Sequence, residues 1–167
     1  MRIPKSNLRG IAHVGAELFT VINDRATCFN IHTYAQTREI IVPGMKQATS
    51  LAACKQNNCL YIGETDAKCI HRVVLSNSSC SKWSLNADPR QVSLTKAFNL
   101  LVTLPQTIEE YTSAGNLVRY IKLDSSLENP RHAIELSSGQ FVICHAGDAQ
   151  HRVLHSRHQW KHCSLLW

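Results

Sequence analysis

The sequence predicts an all-β fold made of about four copies of a small antiparallel sheet, and three observations carry that expectation. A segment opening each copy recurs about every 40 residues, aligning Ile11, Leu51, Val92 and Ala133. After each anchor comes a short apolar run: Leu18 to Val21, Leu60 to Ile62, Leu100 to Val102 and Phe141 to Cys144. No helical period competes with these runs.

Each copy reads as four strands. The first carries the anchor, within Leu8 to Ala12, Ala48 to Ala52, Pro89 to Ser93 and Pro130 to Ile134. The second is the apolar run, whose continuous hydrophobicity marks a buried strand. Turn-rich spacers such as Gln56-Asn57-Asn58 and Ser137-Ser138-Gly139 sit just before three of these runs and join first strand to second. The third strand is Cys28 to Ile31, Cys69 to Val73, Ile108 to Tyr111 and His151 to Val153, with the partial alternation of a half-buried strand. A fourth closes three copies: Arg38 to Val42, Lys82 to Leu85, and Leu117 to Leu123 after the turn Ser113-Ala114-Gly115-Asn116. Four strands per repeat make a β-propeller blade. One blade cannot bury both of its faces, whereas radial stacking covers each face with a neighbour and protects strand edges. An open β-sandwich would use the same short strands but does not require the repeat step.

With 167 residues and globular composition, the chain is expected to form one compact unit. Its parts read as an N-terminal segment 1–7, blades at about 8–45, 46–88, 89–129 and 130–154, and an atypical tail 155–167 rich in His and Trp. No secretory signal or membrane span is expected, because no window is continuously apolar. Seven cysteines are an odd number and, without a signal, read as reduced thiols, which points to the cytoplasm. The net charge of +6 favours polyanionic partners. Lys and Arg are spread without a dense run, so only folding can assemble a basic surface.

The stretch Leu60-Tyr61-Ile62-Gly63-Glu64-Thr65-Asp66-Ala67-Lys68-Cys69-Ile70-His71-Arg72-Val73 resembles the strand, Asp turn and following Asn-His-Arg-Ile-like strand of NHL-type propeller repeats. Two further stretches resemble other parts of the same blade: Ile108 to Tyr111 with Gly115 to Val118, and Asn129 to Ile134 with Ser138 to Val142. The resemblance covers most of residues 8–154. It implies a protein- or RNA-binding propeller, often the last module of tripartite-motif ubiquitin ligases. Such propellers commonly have six blades, roughly 245 residues at this repeat length, so four copies leave either an unusual closed four-blade ring or, as the expectation preferred here, a partial or open one. No RING-like series of Cys and His accompanies them.

Within a blade, the loop before the first strand and the loop between second and third strands open on one side of the disc. Arg9, Arg90 and Arg131 occupy equivalent places two residues before their anchors, with Thr49 in the second blade. Guanidinium groups there suit phosphate or carboxylate. Asp24, Asp66 and Asp148 recur in the neighbouring loops, where they either cap their own turns or neutralise the arginines. His71-Arg72 and His151-Arg152 repeat in third strands, with the Arg expected in solvent and the His hydrogen-bonded. The expected binding residues are therefore Arg9, Arg90, Arg131, His132 and Arg72. His132 and His145 also fit structural roles.

The tail residues His151, His155, His158, His162 and Cys163 have spacing compatible with a metal, but no Cys-x-x-Cys pair supports them and no structural zinc site is expected. No cofactor is expected. No Gly-x-Ser-x-Gly elbow or Gly-rich phosphate loop occurs, so the chain is not expected to be an enzyme. The expected function is a non-enzymatic binding scaffold acting through protein–protein contact at a propeller face. RNA binding through a basic face is the alternative, followed by a propeller hydrolase or an incomplete gene product. The expected partner is a protein, then RNA, with no membrane; the sequence leaves oligomeric state open.

Overall fold

Runs of aliphatic, β-branched and aromatic residues broken by short polar turns fold here into consecutive antiparallel hairpins. The computed structural model describes residues 8–123, 129–146 and 151–156. The first sheet joins β1 (Gly10–Val14), β2 (Glu17–Ile22), β3 (Arg25–Asn30) and β4 (Gln36–Ile41) in chain order. The second joins β5 (Ala48–Cys54), β6 (Cys59–Glu64), β7 (Cys69–Val74) and β8 (Cys80–Ser84). The third joins β9 (Gln91–Leu94), β10 (Leu100–Thr103), β11 (Thr107–Tyr111) and β12 (Leu117–Lys122). The fourth, among the described residues, has three strands: β13 (Pro130–Glu135), β14 (Phe141–Ala146) and β15 (His151–Ser156). No helix among the described residues is long and apolar enough to cross a membrane.

Turn chemistry sets the register. β1 turns into β2 through Gly15-Ala16 and β2 into β3 through Asn23-Asp24. Gly15 and Asn23 take left-handed φ of 57° and 55°, a conformation glycine and asparagine tolerate. Three turns share one pattern, in which Phe98, Gly115 and Gly139 donate their amides to Thr95, Thr112 and Leu136 carbonyls at 2.9, 3.0 and 2.9 Å.

The chain divides into two compact units, the first ending at Pro89 and the second starting at Arg90. In the first, alternate residues of two sheets meet face to face. Phe19, Val21, Ala26, Cys28 and Ile40 come from the first sheet, and Leu51, Leu60, Ile62 and Val73 from the second. Each large aliphatic or aromatic side chain buried there contributes roughly 1.5–3 kcal/mol. The opening strands of the two sheets run very close: a Cβ on Gly10 would lie 2.6 Å from Leu51 Cβ and 2.9 Å from its amide nitrogen. In the second unit, Leu101, Ile108 and Ile121 meet Ala133, Phe141 and Ile143. Ser93 Oγ donates to the Ala133 carbonyl at 2.6 Å across that contact.

One anchor behaves differently from its equivalents. Leu51, Val92 and Ala133 are 5%, 3% and 1% exposed, while Ile11 is 59% exposed. The period places all four at the same point of the blade. What differs is the covering: Leu51 packs on the first sheet, and among the described residues of the first unit nothing packs on Ile11 in the same way.

Candidate functional site

Strand alternation and hairpin register bring three chemically distinct side chains together inside the second blade. Cys69 and His71 are two residues apart on β7 and share a face, and Glu64 at the end of β6 is the residue directly opposite Cys69. Glu64 and His71 are 1% exposed and Cys69 is 3% exposed. Glu64 Oε2 lies 2.8 Å from His71 Nε2 and 3.7 Å from Cys69 Sγ, and Sγ lies 3.4 Å from the same Nε2. The other carboxylate oxygen, Oε1, accepts the backbone amides of Lys46 at 2.8 Å and Gln47 at 3.3 Å. Those amides belong to the connection between the first and second sheets, so one carboxylate fastens the link between blades.

Burial opposes ionisation of Glu64, but the His71 hydrogen bond and the two amides outweigh it and hold the carboxyl below its ordinary range. Burial, reinforced by the Glu64 charge, pushes the Cys69 thiol up to about 11. A thiol in that state is a poor nucleophile. Sγ and the carboxylate also converge on one ring nitrogen, whereas a cysteine, histidine and carboxylate relay uses both. The set is chemically a convergent N, O and S donor group, and among the described residues it is the one such group.

Other buried carboxylates are engaged in the second unit. Glu110 accepts from Arg119 Nε at 2.6 Å and Asn99 Nδ2 at 2.8 Å, and Tyr111 donates its hydroxyl to Glu109. Arg119 also lies over the Phe141 ring at 5.6 Å.

The sequence-derived binding residues fall into two groups. Arg9, just before β1, and Arg131, in β13, are exposed. Arg131 is the extra residue of a bulge between Pro130 and His132, and Thr49 occupies the equivalent bulge in β5, where its hydroxyl donates to the Gly63 carbonyl at 3.0 Å. Arg72, Arg90 and His132 are half-buried, and Nε of both arginines and Nε2 of His132 are enclosed without a hydrogen-bond partner. Arg72 is thus not the solvated residue expected, because alternation turns it away from His71 onto the face of buried Tyr61 and Cys59. Asp24 lies 3.6 Å from its neighbour Arg25, and Asp88 lies 3.7 Å from Lys68. Asp148, His158, His162 and Cys163 lie outside the described residues.

A second surface is the uncovered face of the first sheet. Ile11 and Ile41 are 59% and 62% exposed, and Leu18, Ile22 and Phe29 on the same face are half-buried. The Arg25 to Glu39 pair, at 3.3 Å, crosses one side of it.

Comparison with known proteins places these sheets. Hydrazine synthase of Kuenenia stuttgartiensis matches 92% of this chain with a TM-score of 0.76 at 16% identity, and U3-55K matches 91% with a TM-score of 0.72 at 12% identity. Both are β-propeller proteins. The fold is a β-propeller. A protein of unknown function from Bacteroides caccae matches 91% of the propeller chain with a TM-score of 0.61 at 15% identity. The match takes in 46%, 50% and 61% of the three neighbours, so this propeller chain spans about half the length of the structures it resembles. No family model and no curated protein matches the sequence, so the comparisons support a propeller fold and not the NHL family in particular.

The Glu64, Cys69 and His71 set was not assembled by sequence reasoning, although its signal was there. Cys-x-His on a strand puts both residues on one face, and the Thr65 to Lys68 turn places Glu64 opposite. Reading His71 with Arg72 as a pair paired it with the wrong face.

Proposed function

We propose that this chain is a non-enzymatic binding scaffold that works by sheet-on-sheet protein contact, with the exposed face of the first blade as the contact. The observation that carries this reading is Ile11, 59% exposed at the position where Leu51 is buried against a neighbouring blade. A face already shaped to receive a blade is best filled by another one, because strand twist and residue alternation then match. A second copy of the chain supplies such a blade. Sedimentation velocity over a range of concentrations tests this. Association is expected for the wild type and is lost in the Ile11→Asp, Ile41→Asp double variant with its circular dichroism unchanged. A wild type that stays monomeric, or a variant that associates equally, overturns the reading.

The net charge of +6 and the exposed Arg9 and Arg131 support RNA as a second partner class, engaged through phosphates. Affinity for single-stranded RNA should then fall steeply with salt and drop on charge reversal at Arg9, Arg90 and Arg131. Unchanged affinity after reversal removes this reading. The NHL-like blade pattern and a cytoplasmic setting accompany the scaffold reading as expectations of the same kind, and so does the absence of catalysis, which the engaged state of Glu64, Glu109 and Glu110 supports.

A further inference from the structure

We propose that Glu64, Cys69 and His71 form a zinc(II) site within the second blade. Three donors of the types zinc prefers converge here, with separations of 2.8, 3.4 and 3.7 Å between Oε2, Nε2 and Sγ. Atoms so spaced lie on a circle of about 1.9 Å radius, so an ion slightly out of their plane reaches all three at the roughly 2.0–2.3 Å that zinc takes with O, N and S. No strand has to move for this.

The surroundings add orientation. The Lys46 and Gln47 amides hold Oε1 and thereby aim Oε2 at the other two donors, as outer partners of metal ligands do. Binding releases the thiol proton of Cys69 and frees Nε2 of His71 by placing the ring hydrogen on Nδ1. Thiolate and carboxylate then balance the two positive charges, which suits a buried site. A thiolate with an imidazole selects zinc over magnesium or calcium, whose ligands are all oxygen. A water molecule would complete the fourth position. Because Glu64 also holds the connection between the first and second sheets, the ion would brace that link.

The test uses the full chain. After equilibration with zinc and removal of excess ion, elemental analysis is expected to give one equivalent per chain. Replacement by cobalt(II) is expected to give a thiolate-to-cobalt charge-transfer band, and the ion is expected to raise the melting temperature. Cys69→Ser should abolish the band, weaken binding at least 100-fold and remove the thermal shift while keeping the circular dichroism spectrum. His71→Gln provides a second variant with the thiol intact, in which the band should weaken with the affinity. Substoichiometric metal in the wild type overturns the proposal. So does a band that survives Cys69→Ser, which places the ion on another thiol such as Cys163.

Discussion

Phe98 holds φ of 62° at a turn position that Gly115 and Gly139 occupy in equivalent turns. For an aromatic L-residue the left-handed region costs roughly 1–2 kcal/mol. Phe98→Gly removes that cost and gives back about 0.5–1 kcal/mol in chain entropy, so a net gain of a few tenths to about 1 kcal/mol is expected in urea denaturation. A lower midpoint would show that the Phe98 ring contributes more than its backbone loses. At His132, burial holds the imidazole below its ordinary pKa. The unfolded chain therefore takes up a proton first as pH falls below about 6.5, and stability declines from there until the folded residue titrates as well. His132→Gln should flatten the pH dependence of the urea midpoint over that window, and an undiminished slope would assign it to another group.

The elements were largely legible as strings of apolar and turn residues. The run Leu60 to Ile62, expected to be a buried strand, is 0% exposed throughout. Strand ends were less legible: β3 begins at Arg25, before the Cys28 start expected, because the two-residue turn at Asn23-Asp24 lets pairing resume immediately. Packing between elements makes sharper predictions. Gly10→Ala pushes a Cβ into the backbone of Leu51, so β1 and β5 must separate, and a loss of about 1–3 kcal/mol is expected in denaturant unfolding. Leu51→Ala should cost about 2–5 kcal/mol, whereas Ile11→Ala, at the same register of the preceding blade, should stay within about 0.5 kcal/mol at protein concentrations low enough to keep the chain monomeric. Equal costs at the two anchors would mean that the first face is covered in solution. That outcome would favour self-association if the Ile11 cost depends on protein concentration.

At the scale of the whole chain, the repeat drives the architecture and the breaks in the repeat carry the functional readings. An aliphatic face shaped for a blade, exposed at Ile11 and Ile41, is a surface soluble monomers rarely leave open. The excess of cationic charge is spread rather than focused, so any polyanion binding should show a strong salt dependence and little sequence preference.

Period and composition alone determined that this chain is all-β and that runs such as Leu60 to Ile62 and Leu100 to Val102 are interior. These follow from local rules: alternation of side chains, turn residues that accept left-handed φ, and the inability of a lone sheet to bury two faces. The candidate site was a different matter. Glu64, Cys69 and His71 meet because the hairpin register sets residue 64 opposite 69, and Lys46 and Gln47 join them because the link between sheets folds back over that end. Likewise, only the packed structure separates Ile11 from Leu51. Burial depends on whether a neighbour covers the face, and that is a property of the assembled blades rather than of either strand.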